Sequence, residues 1–216
     1  MNYPGIPKEV TLAAAREWVE PFVSKKRFNH IKGVAKAGRT IAQRSGVDGY
    51  LAELAGWLHD ACKEVKDKQL VTMAKSYGLD VHPIEEENGH LLHGPVGAQF
   101  AAKELGISHK ELLNAIAEHT LGAVDMTPLS KVVFLADCLE ESRPDDYTAP
   151  IWEALENGFS LGNGFIKAPE QEIDMDAAML VALDLGLQHL LESKRAIHPK
   201  TVDVRNYFLK RIKQRL

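Results

Sequence analysis

Apolar residues along most of the chain recur at helical spacing, and no alternating pair of strands flanks a two-residue turn. This pattern predicts an all-α fold. His30, Val34, Ala37 and Ile41 share a face behind a cap at Asn29, and Gly46 ends that helix. Asp48 opens the next, where Leu51, Leu54, Ala55 and Leu58 form a stripe that His59 joins. An irregular stretch around Val81-His82-Pro83 and Asn88-Gly89 leads to His93-Gly94-Pro95, which places proline at a helix start. Ser108 and Glu111 have capping-box spacing ahead of Leu112, Ile116 and His119. Thr127-Pro128 precedes Leu129, Val132, Val133 and Ala136, and Asp137 arrives inside this apolar company. Arg143-Pro144 is expected to close that helix, and Gly158, Gly162 and Gly164 to lie in a loop. Two helices follow, one with Leu180, Leu183, Leu187, Leu190 and Leu191, the other running from about Pro199 to a basic end. No repeat or polar linker divides the chain.

Composition narrows the class. The 216 residues are 45% apolar and 26% charged, as in ordinary globular proteins. With 26 Lys and Arg against 30 Asp and Glu, the net charge of −4 gives no global basic field for nucleic acid or an anionic membrane. The longest apolar run, residues 177–183, is far shorter than the roughly 18 residues that span a bilayer. The first residues lack a basic region followed by an apolar one, so no secretory signal is read and a cytoplasmic location is expected. Cys62 and Cys138 read as reduced, small buried residues.

His30, the adjacent His59-Asp60, His93, His119 and Asp137 each fall at a helix end or on an apolar face. One histidine on an apolar stripe is ordinarily a core residue satisfied by a hydrogen bond. Two aspartates in apolar company are costly unless something neutralises them, and a mixed His/Asp set suits a one- or two-metal hydrolytic centre. Successive helical residues diverge by about 100°, so His59 and Asp60 serve one metal only near a helix end, which Lys63-Glu64 marks. Arg27, Lys63 and Arg143 lie close in sequence to these residues and offer cations for phosphate, and Thr120 offers a hydroxyl. Each also has a plainer reading as a solvated charge or a cap. His82, His90, His109, His189 and His198 read as surface or capping residues.

The order Arg27-x-x-His30, His59-Asp60-x-x-Lys63, His93-Gly94, His119-Thr120 and Ala136-Asp137-x-x-Glu140-x-x-Arg143 resembles the HD-domain superfamily of metal-dependent phosphohydrolases. Leu91-Leu92-His93-Gly94, Ala115-Ile116-x-x-His119-Thr120 and Ile197-His198-Pro199-x-Thr201 with Arg205-Asn206-Tyr207 narrow it to the YqeK family, over about residues 27–208. The resemblance implies an HD-domain helical bundle with additional C-terminal helices over residues 27–216, after an N-terminal helical extension at 1–26. It implies a cytoplasmic homodimer with an iron centre of one or two ions, another divalent transition metal being the alternative. The implied substrate is a dinucleoside tetraphosphate, diadenosine tetraphosphate being cut symmetrically into two ADP, so that an ADP-like nucleotide is bound. Carried over by position, His30, His59, Asp60 and Asp137 hold the principal metal. His93 and His119 either complete a second metal position or contact phosphate. Lys63, Thr120 and Arg143 face the phosphates, and Arg27 buttresses the site. The chain departs from the family in two places: an aromatic residue and a proline are ordinarily found where it reads Cys138-Leu139-Glu140-Glu141-Ser142-Arg143, and its helix before Arg27 is longer.

The expected chemistry is attack by metal-activated water on a central phosphorus, with Lys63 neutralising phosphoryl charge and Asp60 positioning the water. Two further readings share the site: a nucleotide phosphomonoesterase, and a regulatory module that binds nucleotide without turnover.

Overall fold

The computed structural model describes residues 3–161, 164–168 and 173–215. Helix α1 (Leu12–Val19) precedes α2 (Lys25–Arg44) and α3 (Gly49–Leu58). Then come α4 (Asp67–Ser76), α5 (Pro83–Glu87), α6 (His93–Leu105), α7 (Lys110–Glu118) and α8 (Pro128–Leu139). The chain continues through α9 (Asp145–Glu156), a hairpin of β1 (Gly158–Leu161) and β2 (Gly164–Lys167), α10 (Met175–Glu192) and α11 (Pro199–Lys213). The fold is all-α apart from that one hairpin among the described residues.

The centre is a stack of α2, α3, α7 and α8, with α6 against α7 and α10 joining α8, α9 and α11. Ile31, Val34, Ile41, Leu54, Leu58, Leu112, Ile116, Val132 and Leu135 are fully buried there. Close approach of α2 and α3 depends on Gly56, where a Cβ would lie 2.6 Å from the Ala35 Cα. The segment before Arg27 joins the same core: Ala15 and Val19 of α1 are buried, α1 packs on α3, and Tyr3 stacks on Tyr50.

Several boundaries differ from the expected ones. Helix α2 is capped by Ser24, whose side chain accepts from the Arg27 amide, rather than by Asn29. Its first turn is Lys25-Lys26-Arg27, so no apolar stripe marks the start. The α7 cap is the His109 ring, accepting from Leu112, in place of Ser108. Pro95 sits at the third residue of α6, which begins at His93. Helix α8 stops at Leu139 and Glu140 is extended, so Arg143-Pro144 closes nothing; Pro144 instead caps α9, a helix that tolerates Pro150 because Ile151, Ala154 and Leu155 bury one face. The expected glycine loop is the hairpin, with strands of four residues each, too short for alternation to register. Part of it, residues 162–163, lies outside the described residues, as does 169–172.

Candidate functional site

Local folding brings the six side chains together. Helix α3 ends at Leu58, so His59 is its cap residue and Asp60 leaves the helical path, which lets neighbours in sequence face one point. His93 opens α6, His119 caps the end of α7, and Asp137 lies in the last turn of α8. Gly94 permits the approach of α6 to α7: a Cβ there would stand 2.9 Å from the Ala117 carbonyl. The His93 and His119 Nε2 atoms consequently lie 2.9 Å apart.

Asp60 is the centre of the arrangement. Its Oδ2 lies 3.4 Å from His59 Nε2 and 3.7 Å from His30 Nε2, while its Oδ1 lies 3.2 Å from His93 Nε2 and 3.5 Å from His119 Nε2. Asp137 Oδ1 stands 3.0 Å from His30 Nε2. Two ligand triads result, His30–His59–Asp60 and Asp60–His93–His119, sharing the one carboxylate.

The outer nitrogens fix the tautomers. His59 Nδ1 meets the Gly56 carbonyl at 2.7 Å, His93 Nδ1 the His90 carbonyl at 2.5 Å, and His119 Nδ1 the Ile116 carbonyl at 2.7 Å. A carbonyl only accepts, so each ring donates through Nδ1 and its Nε2 carries a lone pair in the neutral form. His30 Nδ1 donates likewise to Glu140 Oε1 at 3.0 Å. Four lone pairs and two carboxylates therefore converge, and His30 Nε2 and His59 Nε2 are buried with no hydrogen-bond partner. Such an array repels itself unless a cation lies within it. Imidazole nitrogens backed by carbonyls or a carboxylate, with carboxylate oxygens between them, fit a divalent metal in donor chemistry and in outer support.

Charge states agree with this reading. Burial alone would raise the Asp60 carboxyl, but the imidazoles packed around it, His59 foremost with His119 and His93, hold it well below the usual range. Asp137 is also held low against its burial, by the adjacent His30 and by His59 and Arg143. Burial pushes the His93 imidazole down to about 4, keeping it neutral. Lys63 is lowered by burial while Asp60 and Asp137 oppose the shift.

The expected cations are present. Arg27 Nη1 pairs with Asp60 Oδ2 at 2.9 Å, Arg143 Nη2 with Asp137 Oδ1 at 2.6 Å, and Lys63 Nζ donates to His93 Nε2 at 3.3 Å. Thr120 Oγ1 sits 3.1 Å from His93 Nε2. The residue that sequence reasoning left without a role is Glu140, which fixes His30 and accepts from Ser142 N at 2.9 Å and from the Ser142 hydroxyl. Gly33 makes room for it: a Cβ there would meet Glu140 Oε2 at 2.5 Å. His82, His109 and His198 cap α5, α7 and α11, and His90 is an exposed partner of Asp67. His189 is exposed, as expected, at the edge of a cavity beside the cluster. Cys62 and Cys138 are free thiols.

Residues 27–142, which contain all six clustered side chains, match the HD domain. The chain belongs to the HD-domain family. It is 29% identical over 195 residues to the "Bis(5'-nucleosyl)-tetraphosphatase, symmetrical" of Halalkalibacterium halodurans, covering 90% of this chain and 95% of that protein. The Staphylococcus aureus protein of the same name is 27% identical over 92% of this chain and 95% of its own length. That of Bacillus subtilis is 32% identical over 58% of this chain and 67% of its own. These relatives place this HD-domain chain in the branch its motifs resemble. A Clostridium acetobutylicum crystal structure, described as a "predicted HD superfamily hydrolase involved in NAD metabolism", superposes with a TM-score of 0.81 at 24% identity, covering 93% of this chain and 98% of the other. That likeness shows the fold. Among the described residues no helix is long and apolar enough to cross a membrane.

Proposed function

We propose that this HD-domain chain is a metal-dependent hydrolase of dinucleoside tetraphosphates, cleaving diadenosine tetraphosphate symmetrically into two ADP. The observation that carries the reading is the Asp60 cluster, a buried convergence of imidazole lone pairs and carboxylates with cations at its rim. Relatives spanning nearly the whole chain carry the corresponding name.

His30, His59, Asp60 and Asp137 would hold the principal metal; His93 and His119 with the other oxygen of Asp60 would hold a second. Iron is the proposed metal, consistent with mixed nitrogen and oxygen donors. When bound, a divalent cation supplies Lewis acidity toward phosphoryl oxygens and makes water ionise near neutral pH.

The chain's own groups supply the rest. Asp60, held ionised, orients the centre; a carboxyl so far below the ordinary range is a ligand and a positioning group rather than a proton store. Lys63 brings a desolvated ammonium to the rim, where it neutralises charge that grows on the phosphoryl oxygens. Thr120 offers a hydroxyl beside it. Arg27 buttresses Asp60, and Arg143 steadies Asp137 while facing a neighbouring cavity. With the two inner phosphates on either side of Asp60, the central bridge is the bond presented for cleavage. We also propose a cytoplasmic homodimer, which light scattering of the purified protein tests.

Anaerobic hydrolysis of diadenosine tetraphosphate by iron-loaded protein, with products separated by ion exchange, tests the activity. ADP as sole product is expected. ATP plus AMP overturns the phosphate register, and release of inorganic phosphate favours a phosphomonoesterase. Asp60→Asn is expected to lower turnover by at least about a thousandfold with the helical circular dichroism unchanged; substantial residual activity removes Asp60 from its role.

A further inference from the structure

Two cavities meet the cluster at its two ends, and their chemistry differs. The cavity bordering His93 and His119 has a volume of about 290 Å³ and is walled by Leu91, Phe134, Tyr147, Leu183 and Leu190, with Lys63 and Thr120 at its inner end. A purine nucleoside, apolar on its faces and polar at its edges, suits such walls. The cavity bordering His30 has a volume of about 340 Å³ and is lined by Ser24, Lys26, Arg27, Ser142 and Arg143, with Pro144 as its one apolar residue among those described. Apart from the His30 ring of the cluster, no aromatic side chain lines it among the described residues, and its two guanidinium groups are held by Asp60 and Asp137.

Two carboxylates also border the polar cavity, but both are engaged. Glu64 accepts from the Ser24 amide at 2.6 Å and its hydroxyl at 2.7 Å, and Glu140 accepts from His30 and Ser142. Arg27 and Arg143 lean on Asp60 and Asp137. Lys26, exposed on the first turn of α2, makes no ion pair among the described residues.

We propose that the two halves of the substrate are read unequally. The apolar cavity takes one nucleoside; the polar cavity takes only the phosphates of the other half, through Lys26, Arg27 and Arg143, and leaves that nucleoside outside the protein. This rests on the dinucleoside tetraphosphate reading of the same site. It widens the substrate class to nucleoside tetraphosphates with any group, or none, at the far end. Adenosine 5'-tetraphosphate is then cut at its central bridge. Water's oxygen joins one phosphorus, the bridging oxygen leaves with the other, and ADP and pyrophosphate result.

The test is calorimetric titration of the metal-loaded protein with ADP, resolved into a first and a second event, and of protein already holding one equivalent of ADP with pyrophosphate. Pyrophosphate and ADP are expected to bind the second site within about threefold of each other, and Lys26→Ala to weaken that event about tenfold while leaving the first unchanged. Tyr147→Ala is expected to weaken only the first event. A second event that prefers ADP over pyrophosphate by about tenfold or more, no second event, or an equal effect of Lys26→Ala on both events overturns the proposal. Binding as expected without cleavage of either tetraphosphate removes the hydrolase reading alone; cleavage with a nucleoside-selective second event removes this one alone.

Discussion

Each imidazole of the cluster is held by its outer nitrogen, and the means of holding differ. His59, His93 and His119 donate to a carbonyl three residues earlier, a contact available to any ring in the last turn of a helix or in a tight turn. His30 lies inside α2, where backbone carbonyls are committed to the helix, so its support has to come from elsewhere and Glu140 provides it. That carboxylate is buried, held below its ordinary range against burial by Ser142 and His30, and it fits only because residue 33 is glycine. Glu140→Gln keeps the shape but weakens the hold on His30. It is expected to reduce metal affinity about 10- to 100-fold with the fold intact, as read by competition with a chelator of known affinity. Unchanged affinity would mean that His30 is oriented without Glu140. The six clustered side chains were legible as candidates because histidine and aspartate on apolar stripes are conspicuous. Glu140 was not, since a glutamate just past a helix end looks like any solvated charge.

At the scale of elements, α11 is fastened to three separate parts of the molecule. Arg205 pairs with Asp184 of α10 at 2.6 Å, and Tyr207 donates to Asp125 at 2.9 Å in the loop after His119. Val204 fills the space that a side chain at Gly122 would need, with 2.9 Å to a Cβ there. At its first turn His198 is buried, caps α11 through Nδ1, and turns Nε2 toward Glu85 of α5 at 3.6 Å, with the His82 ring 4.6 Å away. Helix α5 runs directly into the turn that carries Leu91 and His93, and Thr201 of α11 lines the same cavity. His198→Ala removes both the cap and the fastening. It is expected to raise KM for diadenosine tetraphosphate about three- to tenfold with kcat within about twofold, the mark of a positioning residue. A fall in kcat with KM unchanged would refute this placement. Sequence reading found α10 through its leucine stripe and α11 through Pro199 at its start and its basic end, yet it missed α9, whose Pro150 argues against a helix, and the hairpin, whose strands are shorter than a recognisable alternation.

The whole molecule is organised so that its densest packing and its most costly polar cluster coincide. The six clustered side chains come from α2, the end of α3, the start of α6, the end of α7 and α8, the elements that also form the central stack. Residues 3–23 close that stack from the α3 side, which apolar spacing in a short, charged segment did not foretell. Without a cation the carboxylates of Asp60 and Asp137 and the Nε2 lone pairs oppose one another across five elements; with one they draw those elements together. Metal binding is therefore expected to contribute to global stability and not only to chemistry. A site saturated at about a hundredfold over its Kd adds about 2.7 kcal/mol, which for a chain of this size corresponds to a melting temperature higher by roughly 5–10 °C. Chelation followed by calorimetry is expected to lower Tm by that amount in one cooperative transition, and restoring the metal to recover it. Asp60→Asn is expected to show little of this response, because both triads lose their shared ligand. An unchanged Tm after verified metal loss would show that the central stack closes without the ion, and that the opposed charges relax locally instead of straining the helices that carry them.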